Sequence, residues 1–235
     1  MAILRDGEAI QYPAVEARQS AVAYVSSSAT PPTHRGVEPK RILDFVGAAL
    51  ALILCAPVMI FVYLMLGASG SVIFVQRRVG RDGRLFGCYK FRSMVHDAEK
   101  VLAEHLRRNP AARDEWERNF KLVDDPRITR FGRWLRRTSV DELPQLFNVL
   151  RGEMSLVGPR PIVQEEIGLY GNKIRAYYSC RPGLTGLWQI HGRNLVAYER
   201  RVVLDAIYAR RQSMKLDVII LLKTVGVVLS GRGAF

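Results

Sequence analysis

The residues best suited to chemistry lie together at 138–161, TSVDELPQLFNVLRGEMSLVGPRP. Asp141 and Glu142 are adjacent acids, and they follow the arginine-rich run RITRFGRWLRR at 127–137. An aspartate carboxylate can attack phosphorus and form an acyl phosphate. A second carboxylate can hold Mg²⁺, which takes one or two carboxylates together with substrate phosphate oxygens. Arginines nearby would offset charge on a transferring phosphoryl group. Gly158-Pro159-Arg160-Pro161 is a rigid turn that fixes one guanidinium, a group that grips phosphate through two parallel hydrogen bonds. A structural role competes locally. Ser139 with Glu142 three residues on is the pattern of a capping box at a helix start. Spacing alone leaves both roles open.

The charge balance agrees with an anionic substrate. The net charge is +13, and residues 1–39 hold three arginines against four acids, so +14 falls on the remainder. Such a surplus suits nucleic acid, acidic lipid or phosphorylated substrates. No helix-turn-helix, RNP or zinc-finger pattern is present, and aromatics are not interleaved with the basic runs, which argues against nucleic acid. Cys55, Cys88 and Cys180 are widely spaced and odd in number. They form no disulfide framework and suit a reducing compartment. The four histidines form no zinc-ligand pattern.

These residues must be positioned by the elements around them. Residues 1–39, with Ser26-Ser27-Ser28 and Pro31-Pro32, are expected to be a flexible tail. From Phe45 to Leu66 there are 22 residues without a charge, about 33 Å of helix and enough to cross a bilayer core. Pro57 sits near its middle and removes a backbone hydrogen bond there. Lys40 and Arg41 precede the segment and Arg77, Arg78 and Arg81 follow it, and positive residues favour the cytoplasmic side. A re-entrant hairpin over residues 40–75 fits these features, and a single bent span is the alternative. Residues 76–235 read as one catalytic domain. Just before it, 72–75 suggests a strand running into a Gly80/Gly83 turn, and within it 94–121 suggests a charged helix pair interrupted at Pro110. Residues 127–137 form an amphipathic helix with Arg130, Arg133 and Arg137 on one face. Val218–Leu229 is too short to span and is expected to be core or interfacial. The fold class is α+β, mainly helical, with a small sheet.

In order and spacing, the chain from about residue 39 to 235 resembles the bacterial sugar transferases, the monotopic phosphoglycosyl transferases. The matching blocks begin with Lys40-Arg41 and Asp44, Gly70-Ser71-Val72-Ile73-Phe74-Val75-Gln76 and Lys90-Phe91-Arg92-Ser93-Met94. They continue through Asp125-Pro126-Arg127-Ile128-Thr129, Asp141-Glu142-Leu143-Pro144-Gln145, Gly152-Glu153-Met154-Ser155 and Gly158-Pro159-Arg160-Pro161. They close with Arg181-Pro182-Gly183-Leu184-Thr185-Gly186, Gly192-Arg193-Asn194 and Leu204-Asp205. The resemblance implies transfer of a hexose-1-phosphate from a UDP-sugar to undecaprenyl phosphate with release of UMP. It implies Asp141 as nucleophile, Glu142 as the Mg²⁺ ligand, and Lys90, Arg92, Arg136, Arg160, Arg181 and Asp205 as substrate-binding or site-organising positions. Lys40, Arg41 and Pro57 would serve the lipid phosphate and the membrane break. The expected setting is the cytoplasmic face of a bacterial inner membrane, alongside downstream glycosyltransferases. One departure is Ala56-Pro57 where many members have Ser-Pro. The ending Gly231-Arg232-Gly233-Ala234-Phe235 resembles exopolysaccharide-type members, which places galactose just ahead of glucose as donor.

Overall fold

The computed structural model describes residues 4–5, 8–9, 39–67, 70–119, 122–192 and 196–230. Strands β1 (Leu4–Arg5) and β2 (Glu8–Ala9) pair antiparallel. The rest of the expected tail lies outside the described residues.

Helix α1 (Pro39–Gly67) contains the long apolar run. It is the one helix among the described residues long and apolar enough to cross a membrane. The expected break at Pro57 does not divide it. Helical structure runs through all 29 residues with Pro57 inside. Both ends of α1 rest on the same globular body. Near its start, Asp44 and Ala48 are buried, and Ala51 and Leu52 pack against the main core. Near its end, Val62 is buried with Val72, Phe91 and Leu135, flanked by Met59 and Leu66. Between them the helix is bare, with Ile53 73% and Leu54 81% exposed.

The hairpin β3 (Ile73–Val79) and β4 (Leu85–Phe91) follows, antiparallel in the register Ile73↔Phe91 to Val79↔Leu85. The expected strand and Gly80/Gly83 turn are therefore present, the strand running further than residue 75. Helices α2 (Ala98–Arg108) and α3 (Pro110–Asn119) form the charged pair, with Pro110 as the first residue of the second, a position where its missing N–H costs nothing. Helix α4 (Arg130–Thr138) is the amphipathic basic segment. Thr129 caps it by accepting a hydrogen bond from the Gly132 amide at 2.8 Å. Leu135 is fully buried while Arg130, Arg133 and Arg137 face outward.

Helix α5 (Gln145–Arg151) ends at Gly152, whose φ of 81° is the left-handed geometry that glycine takes at helix ends. Strand β5 (Ser155–Val157) pairs in parallel with β6 (Gly183–Thr185). The two backbones meet closely there, because a Cβ on Gly183 would fall 2.0 Å from the Gly158 nitrogen. Short helices α6 (Ile167–Tyr170) and α7 (Ile174–Tyr178) lie between these strands. Helices α8 (Tyr198–Arg211) and α9 (Met214–Ser230) close the fold. Helix α9 contains the predicted 218–229 segment and is half core and half surface. Ile220 is fully buried, while Val218, Leu222 and Val225 are exposed.

The main core gathers Ala48, Cys88, Leu146, Val149, Met154, Val157, Tyr208 and Ile220. Asn148, fully buried at its centre, ties α5 to β4. Its side-chain nitrogen donates to Gly87 O and to Glu153 Oε2, both at 2.7 Å, and its oxygen accepts from Tyr89 N at 3.1 Å.

Candidate active site

The acidic pair sits in a tight reversal between α4 and α5. Helix α4 ends on Ser139, a non-glycine residue in the left-handed region at φ 59°. The next residues, Val140–Glu142, form one turn of 3₁₀ helix. Pro144 precedes α5, whose first amides bond back to the turn, Leu146 N to Leu143 O at 3.0 Å and Phe147 N to Pro144 O at 3.1 Å. The capping-box pattern does not form, since the Ser139 side chain makes no cap hydrogen bond and the Glu142 carboxylate reaches Lys90 instead. The turn is held by backbone bonds, Glu142 N to Ser139 O and Leu143 N to Val140 O, both at 3.2 Å.

Lys90 Nζ on β4 donates to Glu142 Oε1 at 2.7 Å, and Arg160 Nη1 stands 3.7 Å from the same oxygen. Burial alone would raise the Glu142 carboxyl, but the Lys90 and Arg160 charges outweigh it and hold it down at about 2. Asp141 behaves oppositely. It is 7% exposed, and burial together with the Glu142 charge pushes it up to about 6, against the pull of Lys90, Arg136 and Arg160. Neighbouring carboxyls driven apart in this way mark a chemical site more often than a structural one. The pocket at Glu142 is lined by Arg78, Cys88, Lys90, Glu142, Gln145, Arg160, Pro161, Gly183, Leu184 and Gln189, with the buried Asp141 next in the chain but outside the lining. Three cations thus line the pocket with the partly buried Glu142 carboxylate.

The loop carrying Arg160 is braced from several sides. Arg78 Nη1 donates to Pro161 O at 3.0 Å, and Gly183 N donates to Pro159 O at 2.7 Å. The Arg160 guanidinium lies 6.0 Å from the centre of the Trp188 ring, which Arg201 also covers at 4.7 Å. The site can therefore hold a polyphosphate against an ionisable carboxylate that has few competing contacts.

The bacterial sugar transferase family model matches residues 36–231. The chain belongs to this family. Over 197 residues it is 51% identical to the UDP-galactose-lipid carrier transferase of Erwinia amylovora, covering 83% of this chain and 41% of that protein. It is 46% identical over 198 residues to the exopolysaccharide production protein ExoY of Sinorhizobium fredii, covering 83% of this chain and 88% of that one. It is 42% identical over 209 residues to the undecaprenyl-phosphate glucose phosphotransferase of Komagataeibacter xylinus, covering 83% and 37% respectively. The chain spans about two fifths of the length of the first of these relatives.

Of the sequence-predicted positions in this family member, Lys90, Arg160, Asp141 and Glu142 come together. Arg136 adjoins them. Its Nε donates to Ser93 Oγ at 2.9 Å, and burial lowers its pKa against the opposing pull of Asp141 and Asp125. Arg92 does not reach the pocket lining: its Nε donates to Ser71 O at 2.9 Å, and its guanidinium lies over Phe74. Arg181 is turned toward the start of α1, its Nε donating to Gly152 O at 3.1 Å. Asp205 is 1% exposed among tyrosines and accepts from Tyr170 OH at 2.8 Å. Burial lifts it to about 8 despite the Tyr170 bond and the Arg160 and Arg201 charges, so it backs the Arg160 region as a neutral group.

Lys40 and Arg41 are spent on the fold. Lys40 Nζ donates to Asp217 Oδ2 at 2.6 Å and to Val157 O at 3.0 Å, and Tyr208 OH completes the cluster with 2.7 Å to Asp217 Oδ1. The Arg41 guanidinium donates to Val149 O at 2.5 Å and Leu150 O at 2.7 Å, bonding carbonyls of the last turn of α5. Asp44 Oδ1 accepts from Ser155 Oγ and Leu156 N, each at 2.9 Å. Pro57 lies on the exposed stretch of α1.

Arg78, Gln145 and Gln189 line the pocket without having been selected from the sequence. Arg78 was visible only as a charge flanking the apolar run. Gln145 stood inside the Asp141–Gln145 block, where the acids drew attention first. Gln189 offered no spacing signal.

Proposed function

We propose that this chain transfers a hexose-1-phosphate from a UDP-sugar to undecaprenyl phosphate and releases UMP. The observation that carries the reading is the buried Asp141 carboxyl, raised to about 6 beside an ionised Glu142 under three cations. At neutral pH it is mostly ionised, yet basic enough to be a competent nucleophile. The Asp141 oxygen attacks the β-phosphorus, the bond from that phosphorus to the bridging oxygen breaks, and the electron pair leaves with UMP. An oxygen of the lipid phosphate then attacks the aspartyl-phosphosugar. The Asp141–phosphorus bond breaks, which restores the carboxylate and yields the polyprenyl-diphosphate sugar. Lys90, Arg160 and Arg78 bind the diphosphate and offset its charge.

Magnesium is the proposed cofactor. The described residues contain no cluster of three or more metal-type ligands, so the protein would supply Glu142, with Asp141 beside it, and substrate oxygens and water the rest. That donor set suits Mg²⁺. When bound it would neutralise charge on the diphosphate.

The two docked ends of α1 favour re-entry over spanning. A helix crossing the roughly 30 Å hydrocarbon core would put its far end on the opposite side, away from the body that carries both Ala48 and Val62. The cytoplasmic face of the inner membrane is the proposed setting, and initiation of exopolysaccharide synthesis the proposed role, followed by downstream glycosyltransferases. The names of the relatives favour UDP-galactose or UDP-glucose as donor.

A screen of UDP-sugars for UMP release tests the reaction, and Asp141→Asn should abolish both turnover and sugar-phosphate labelling of the protein. Normal turnover in that variant would sink the nucleophile assignment. A cysteine at Ser28, in a chain freed of its own cysteines, should resist a membrane-impermeant reagent in intact cells. Labelling from outside would favour a spanning helix.

A further inference from the structure

Two carboxamides in the pocket wall have no task in the chemistry above. Gln145 is 2% exposed, lines the pocket and makes no side-chain hydrogen bond among the described residues. Gln189 also lines the pocket. Its Nε2 donates to Leu184 O at 3.2 Å, which leaves Oε1 buried and without a partner. A buried polar atom left unpaired costs about 1–3 kcal/mol, so the Gln189 oxygen, with the unbonded Gln145 amide lining the same pocket, points to a partner that arrives with the ligand. Their chemistry limits that partner. Lys90 and Arg160 select negative charge, whereas a carboxamide is neutral. Gln145 can both donate and accept, and the free Gln189 oxygen only accepts. A hydroxyl group satisfies both.

The position of Gln145 indicates which hydroxyls. It opens α5 four residues after Asp141, on the chain segment that places the nucleophile. In an in-line displacement the leaving UMP departs opposite the attacking oxygen, while the sugar oxygen stays to the side of the phosphorus. Groups adjoining the nucleophile therefore meet the sugar, and the uracil lies several bonds further away. We infer that Gln145 and Gln189 form a neutral subsite that hydrogen-bonds hydroxyl groups of the donor hexose, an inference that rests on the proposed transferase reaction.

The test uses the full chain in lipid nanodiscs and measures UMP release. The donors are the UDP-hexose that the wild type accepts and its monodeoxy analogues at each ring position. The wild type should lose roughly tenfold or more in kcat/KM when the bound hydroxyl is removed, because its carboxamide is then left unpaired. Gln145→Leu and Gln189→Leu should lose a similar factor on the parent donor and no longer distinguish it from that analogue. Inhibition by free UDP should stay unchanged, which also reports an intact fold. Gln145→Met and Gln189→Met, close to the native length but without a strong donor or acceptor, serve if a leucine variant fails to fold. An unchanged deoxy penalty in every variant overturns the subsite, as does UDP inhibition weakened by the same factor as turnover, which would assign the amides to the nucleotide. Failure of the wild type to release UMP from any UDP-hexose would instead refute the transferase reading itself.

Discussion

Replacing Asp141 by asparagine should make the protein inactive and more stable. The Asp141 carboxyl is 7% exposed and sits at about 6 instead of the ordinary 3.8, through burial and the neighbouring Glu142 charge. Keeping such a group ionised in the fold at neutral pH costs about 3 kcal/mol. The fold favours the protonated form. Its stabilising effect is therefore complete below 3.8, declines as pH rises toward about 6, and is gone above that. Asparagine is neutral at every pH and avoids the penalty. The variant should match the parent near pH 4 and exceed it above pH 7 by up to about 3 kcal/mol, roughly 6–12 °C in Tm for a chain of this size. Tryptophan fluorescence melts of both proteins in nanodiscs, run from pH 4.5 to 8, give the comparison directly. A variant that melts at or below the parent's temperature at pH 7.5 would mean that the carboxylate is not held at a cost. The account of its raised value, and of its readiness as a nucleophile, would then fail.

Other outcomes follow from the same geometry. UMP release in the first half-reaction should rise about tenfold per pH unit below about 6 and level off above, tracking Asp141 ionisation. A rate flat from pH 5 to 8 would contradict this. Lys90→Met removes the 2.7 Å contact to Glu142. It should lower kcat by roughly 10²–10³ and move the acid limb to higher pH, because a positive charge that favours ionised Asp141 is lost. Asn148→Ala leaves Tyr89 N, Gly87 O and the Glu153 carboxylate without their partner in a fully buried place. A loss of about 2–4 kcal/mol is expected, read as a lower Tm with Lys90 and β4 less firmly held.

Much of the architecture could be read locally, because its signals are local. Pro110 and the Gly80/Gly83 pair punctuate the chain where helices and strands stop, and Leu135 with Arg133 and Arg137 displays a helical period within three turns. The long apolar run announces α1 by composition. The site was harder. Ser139 and Glu142 carry a helix-start pattern, yet tertiary partners prevail: Lys90, 52 residues away, takes the carboxylate. Lys40 and Arg41 look like membrane-flanking charges because their true partners, Asp217 and the α5 carbonyls, lie 177 and 108–109 residues along the chain. Arg92 and Arg181 were as basic as Arg160 in the sequence. Only the fold turns Arg160 inward and the other two toward backbone carbonyls. The division of labour between Asp141 and Glu142 was likewise unreadable, since it depends on burial and on which cation touches which oxygen.

The clamp at the start of α1 also bears on how the protein is made. Translation delivers α1 before the elements that hold it, since Lys40 needs Asp217 and Arg41 needs the end of α5. Helix α1 therefore leaves the ribosome well before it is locked. In the proposed membrane setting, the apolar segment would have lipid as its main partner until α9 appears. Contacts this distant in sequence form slowly, so a chain cut short before residue 217 would leave an inserted helix that never acquires its register on the catalytic body. Quality control of this protein would then turn on whether its last two helices have arrived to fasten the first.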